Sequence, residues 1–157
     1  MTVRLLAPST AAEWCEARRL VEEYASSLDL DLSFQNFAHE LEHFENEYSA
    51  PYGAFLLAQN NGALVGCVGL RKLSDGVGEI KRLYVRPTAR GLGLGLALVR
   101  GIVDEAKLIN YARLVLDTLP SMLEAQSLYQ AVGFRSIAPY RYNPIPGTVF
   151  LELRLHD

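Results

Sequence analysis

Arg90-Gly91-Leu92-Gly93-Leu94-Gly95 is the stretch on which the reading of this chain turns. A strand-like run, Glu79-Ile80-Lys81-Arg82-Leu83-Tyr84-Val85, leads into it, and a helix-like run from Leu96 to Asn110 leaves it. Three glycines at alternate positions strip every Cβ from one edge of the turn, so successive backbone N–H groups can point at a single anion. The same groups are the unpaired donors of a helix N-terminus, whose dipole favours a phosphate by up to ~1 kcal/mol when exposed. Arg90 adds a fork-shaped cation beside them. The segment reads as a cradle for a pyrophosphate.

Three cradles of this kind compete. A nucleotide-triphosphate loop requires Lys followed by Ser or Thr after its last glycine, and Leu96-Ala97 stands there instead, which comes close to excluding it. A dinucleotide fingerprint requires G-x-G-x-x-G directly at a strand end. Gly91 and Gly93 begin that pattern, but Leu96 fills the third glycine position, and Arg86-Pro87-Thr88-Ala89-Arg90 separates strand from turn. Asp117 falls about twenty residues on, where a ribose-binding acid would stand, so this reading is weakened and stays open. The third pattern, R-x-x-G-x-G after a strand ending V-x-P, is filled at every position.

With Val85-Arg86-Pro87-x-x-Arg90-Gly91-x-Gly93-x-Gly95 followed by Ala125-x-x-Leu128-Tyr129-x-x-x-Gly133-Phe134, the stretch from Glu79 to about Leu155 resembles the GNAT superfamily of acyl-CoA-dependent N-acetyltransferases. One helix and one strand separate the two motifs, as the superfamily has them. The first half of the chain matches only in layout. The resemblance implies a single domain over 1–157, with a variable substrate-side half (1–76) and an acetyl-CoA-binding core (77–155). The fold expected is α/β (α+β): a mixed, mainly antiparallel central sheet flanked by helices.

The rest of the chain agrees with one such domain. Its 157 residues are half hydrophobic and about a fifth charged, the balance of a globular protein with a sizeable core. A net charge of −3 and a pI near 5.6 offer no basic stripe for nucleic acid. No apolar run approaches the ~18–20 residues that span a bilayer, and no secretory signal is visible. Cys15 and Cys67 stand alone, and three scattered histidines make no zinc pattern, so no metal is expected. Reduced thiols fit a cytoplasmic protein.

Val3–Leu6 reads as a first strand, and Ser9 or Thr10 caps a helix from Ala11 to Leu28. A second amphipathic helix, capped by Ser33, carries the stripe Phe34, Phe37, Leu41, Phe44 and Tyr48. Strands over 54–59 and 63–73 flank Asn60-Asn61-Gly62, a hairpin turn, and a third covers 77–85. After the cradle helix come a strand at 113–117, a helix at 122–132 capped by Gly133, and last strands at 135–138 and 148–155. The sheet should be antiparallel early and parallel around the cradle helix.

Acyl transfer to an amine requires both partners held in line, a proton taken from the amine, a stabilised oxyanion and a protonated leaving thiolate. The resemblance assigns the pyrophosphate to the N–H groups of Gly91, Leu92, Gly93, Leu94 and Gly95, with Arg90 in support. It sets the backbone of Leu83 to Val85 against the amide-bearing arm of CoA, an N–H near Val85 facing the thioester oxygen if a bulge frees it. It makes Tyr129 the general acid. Met122 stands where relatives often keep an Asn, leaving Ser121 or a backbone group to substitute. Glu79 occupies the general-base position of one branch. Two alternatives stand beside that role: pairing with Lys81 or Arg71 at the surface, or ending a water chain.

Phe34, Phe37, His39, Tyr140 and Tyr142 are available for substrate selection; Arg82, Arg135 and Arg141 could bind a substrate carboxylate but read chiefly as solvated charges. The function implied is direct transfer of acetyl from acetyl-CoA to a primary amine of a small molecule or peptide. No nucleic-acid or membrane partner is implied, and a homodimer is possible. A CoA-binding module without activity, or transfer of a longer acyl group, is the alternative.

Overall fold

A computed structural model describes residues 3–28, 32 and 36–155. Among these residues seven strands form one sheet in the order β1-β2-β3-β4-β5-β7-β6. Strand β1 (Val3–Leu6) pairs antiparallel with β2 (Ala54–Asn60), which turns through Asn61 and Gly62 into β3 (Ala63–Ser74). Both turn residues have positive φ, +51° and +87°, the conformation that Asn and Gly accept most readily. Strand β4 (Val77–Val85) is antiparallel to β3 and parallel to β5 (Arg113–Thr118). Strand β7 (Val149–Arg154) pairs antiparallel with both β5 and the two-residue β6 (Arg135–Ser136). This is the mixed, mainly antiparallel sheet that the sequence predicts.

Helix α1 (Ala11–Ser27) begins on a capping box: Glu13 N–H donates to Thr10 Oγ1 at 3.1 Å and Thr10 N–H to Glu13 Oε1 at 3.3 Å. It buries Ala17, Leu20 and Val21 against one face of the sheet, together with Phe44, Tyr48, Phe55, Leu57, Cys67 and Tyr84. Helix α4 (Leu94–Ile109) covers the other face, burying Leu94, Leu98, Val99, Ile102, Val103 and Ala106. Helix α5 (Leu123–Val132) packs beside it and ends on Gly133 at φ +118°, where Phe134 N–H returns to the Tyr129 carbonyl at 3.0 Å. Among the described residues no helix is long and apolar enough to cross a membrane.

The second amphipathic helix differs from its sequence reading. Two short helices, α2 (Phe37–Glu42) and α3 (Phe44–Glu47), meet at His43. The residues turned inward are Glu40, Phe44 and Tyr48, spaced by four, while Phe37 and Leu41 are only partly buried. Glu40 joins that face because its carboxylate binds a buried arginine and the Tyr48 hydroxyl. Ser33 and Phe34 lie outside the described residues.

Candidate active site

Strands β4 and β5 run parallel only over Val77–Glu79 against Arg113–Val115, then diverge. From Ile80 onward no strand among the described residues pairs with β4 on that side, and the gap forms a cleft of about 600 Å³ including its open mouth. Ile80, Lys81, Arg82 and Leu83 supply one wall, Asp117, Thr118 and Leu119 the other, and Met122 just before α5, with Ala125 and Tyr129 of α5, closes one end.

A bulge shapes the β4 wall. Cys67 pairs with Tyr84 and Gly69 with Lys81, so Arg82 and Leu83 together face the single residue Val68. Arg82 takes φ +65°, a costly conformation for a long side chain. The extra residue breaks the alternation of the strand: Ile80, Leu83 and Val85 turn toward α4, while Arg82 and Tyr84 turn toward the α1–α2 side. The bulge falls at Arg82, three residues before Val85.

Arg82, expected as a solvated charge, is buried in a bidentate pair. Its Nε and Nη2 donate to Glu40 at 2.9 and 2.8 Å, and Phe37 lies over the guanidinium at 5.2 Å. Burial pushes the Glu40 carboxyl up, but the bonds and charge of Arg82 outweigh it and hold the pKa below the ordinary value. Lys81 is also buried in the cleft wall, 5% exposed. Burial first, then the Arg82 charge, bring its ammonium down to about 7, against the opposing pull of Glu79.

Glu79 is fully buried where β4 and β5 part. Its Oε1 accepts from Arg71 Nε at 3.1 Å, while its Oε2 accepts from the Tyr140 hydroxyl at 2.7 Å and lies 2.6 Å from Arg141 Nη2. Burial pushes this carboxyl up, yet Lys81, Arg141, Arg71 and the Tyr140 hydroxyl prevail, and its pKa is lowered. The pairing with Arg71 thus occurs in the interior rather than at the surface. Arg141, like Arg82, is an internal partner, whereas Arg135, His39 and Tyr142 are exposed.

Tyr129 lines the cleft from α5, its ring edge-on to Phe134 with centroids 5.5 Å apart. No described residue hydrogen-bonds its hydroxyl. Burial, then the nearby Tyr24 and Asp117, push the phenol up, so it stays protonated throughout the neutral range. Met122 also faces the cleft, with its sulfur 3.7 Å from Thr118 Oγ1. Cys67 is buried and its thiol is pushed up by that burial, which keeps it from being a nucleophile.

The glycine turn opens beside the end of β4. Gly91 and Gly93 have φ of +84° and +78°, and a Cβ on either would meet no atom within 4 Å. Gly95 serves another purpose: its Cβ would come within 2.7 Å of Leu128 Cδ1, so it lets α5 pack close to α4. Among the described residues no acceptor takes the N–H groups of Gly91 to Leu96; the first helical bond is Ala97 N–H to the Gly93 carbonyl at 3.1 Å. Arg90 Nε donates to the Val85 carbonyl at 3.0 Å, tying the turn to β4. An unpaired row of amides at a long helix N-terminus, with no side chain above two of its glycines, fits a diphosphate.

Lys81, Asp117, Asn143 and Tyr24 line the cleft without having been singled out for that place by the sequence. The available signal was Glu79, Lys81 and Arg82 crowded into a strand that has to be interior.

The sheet thus splays beside a helix start with open amides and leaves a protonated phenol in the gap, an arrangement with room for a ligand that carries a diphosphate. The family model "Acetyltransferase (GNAT) family" matches residues 13–134, and the chain belongs to that family. It is 41% identical to an uncharacterized N-acetyltransferase of Schizosaccharomyces pombe, over 88% of this chain and 86% of the relative. With the N-acetylaspartate synthetase of Xenopus tropicalis it shares 32% identity over 68% of this chain and 42% of that longer protein. The solved structure of a GNAT-family acetyltransferase from Staphylococcus aureus Mu50 has the same fold, with a TM-score of 0.79, 24% identity, and coverage of 98% of this chain and 99% of the other. The protein is an N-acetyltransferase.

Proposed function

We propose that the protein transfers acetyl from acetyl-CoA directly to a primary amine of a small molecule or peptide, without a covalent acyl-enzyme. The observation that carries this reading is the row of unpaired amides from Gly91 to Leu96, opening beside the splayed end of β4. Those amides, supported by Arg90, hold the diphosphate, and the backbone of Leu83 to Val85 lies alongside the pantetheine arm. The thioester supplies an electrophilic acyl carbon. Tyr129, kept protonated by its burial and with a hydroxyl that no described residue engages, gives its proton to the departing thiolate, while the proton shed by the attacking amine leaves to water at the open mouth of the cleft. Holding donor and acceptor in one gap supplies the proximity term of the reaction.

The test is thiol release from acetyl-CoA across a panel of amines, amino acids and peptides. At least one acceptor is expected to release thiol well above the rate of hydrolysis. Acetyl-CoA uptake with no acceptor used across the panel would overturn the transfer reading.

A further inference from the structure

The loop Tyr140–Gly147 is fastened to both arms of the splay. Tyr140 and Arg141 hold it to Glu79, the last β4 residue paired with β5. Asn143 Nδ2 donates to Asp117 Oδ2 on β5 at 3.2 Å, and Asn143 Oδ1 accepts from Ile145 N–H at 2.9 Å, which shapes the loop beyond the second fastening. Asn143 is itself part of the cleft lining. The loop is therefore a strap whose near edge is a wall of the cleft, and whose anchors are one buried carboxylate and one cleft carboxylate.

Resting on the acetyl-transfer reading above, we propose that Glu79 is a positioning residue: it holds the Tyr140–Gly147 strap as the acceptor-selecting wall of the cleft and does not take the proton of the amine. Three features support this. Both Glu79 oxygens are already engaged, by Arg71 on β3 and by Tyr140 and Arg141 on the strap. The groups facing it from β3, β4 and the strap are Arg71, Lys81, Tyr140 and Arg141; the two arginines stay charged across the neutral range and, joined by Lys81 where it is protonated, hold the carboxylate ionised and weakly basic. Its side chain is 1% exposed, so neither an amine nor bulk water reaches it without displacing the strap. Tyr140 in turn packs edge-on against Phe150 at 5.4 Å, which fixes the strap end that Glu79 grips.

The experiment compares wild type, Glu79→Gln and Tyr140→Phe in full steady-state kinetics against pH, using the best acceptor of the amine panel, with acetyl-CoA uptake by the wild type measured in parallel. A positioning role predicts an acceptor KM about 10- to 100-fold higher in Glu79→Gln, the range lost with a charge-assisted hydrogen bond. It also predicts a kcat within about threefold and an acid limb of the kcat–pH profile at its wild-type position. Tyr140→Phe, which leaves the carboxylate in place, should raise the same KM. A fall in kcat of about 10²–10⁴-fold with loss of the acid limb makes Glu79 the base and overturns the inference. So does an unchanged KM in Tyr140→Phe, which decides alone if Glu79→Gln fails to fold. Absence of acetyl-CoA uptake by the wild type overturns the transfer reading beneath it.

Discussion

Replacing Tyr129 by Phe separates chemistry from architecture. The ring keeps its place against Phe134, and only a hydroxyl that no described residue hydrogen-bonds is removed. An intramolecular hydrogen bond is worth about 0.5–1.5 kcal/mol net, and a buried polar group without one costs about 1–3 kcal/mol. Removing this hydroxyl therefore leaves stability unchanged or raises it by ~1 kcal/mol, roughly 2–4 °C in Tm for a chain of this length. Losing the proton donor to the thiolate instead raises the barrier by ~3–5 kcal/mol, a slowing of about 10²–10⁴-fold. The assay pairs thermal unfolding with thiol release at saturating acetyl-CoA, whose affinity should barely change. Activity within about threefold of wild type removes Tyr129 from the reaction. A large fall in Tm with equal loss of rate makes its role structural.

Other perturbations follow from the same geometry. Glu40→Ala strips a bidentate partner from buried Arg82 and should destabilise by ~3–5 kcal/mol in urea unfolding, whereas little change would mean that the pair adds nothing. Lys81, with a folded pKa of about 7 against an ordinary 10.5, binds fewer protons folded than unfolded between those values. Its cost, ~3–5 kcal/mol, is therefore fully present below pH 7 and relieved as pH rises toward 10.5. Lys81→Met should stabilise the protein below pH 7 and progressively less above it; a pH-independent difference refutes the assignment. Gly91→Ala and Gly93→Ala meet no neighbour and should lose only the ~1–2 kcal/mol of left-handed strain, yet weaken acetyl-CoA binding at least about tenfold in calorimetry. Equal binding by these variants would detach the turn from the ligand.

The parts legible in the sequence are local ones. Glycines at alternate positions before an apolar helix, Thr10 as one of two N-cap candidates, Asn61 with Gly62 and the Gly133 cap each act within a few residues, and each element appears where its signal stands. The bulge at Arg82 left no such trace, because one residue at positive φ is set by how β3 and β4 register. The same holds for Glu40, whose partner Arg82 is 42 residues away and sets its inward placement through tertiary contact. Glu79 was singled out by the resemblance, at the general-base position of one branch, but its partners Tyr140 and Arg141 come from a distant loop that nothing near Glu79 announces. Gly95 was read with the cradle glycines, although its missing side chain makes room for Leu128.

The account rests on the amides at the start of α4 receiving a diphosphate. Titration calorimetry of the full chain with CoA addresses it directly: saturation of one site with a sub-millimolar dissociation constant, about −4 kcal/mol or tighter, is the predicted result. No heat and no saturation at millimolar CoA, with well-folded protein, would contradict it.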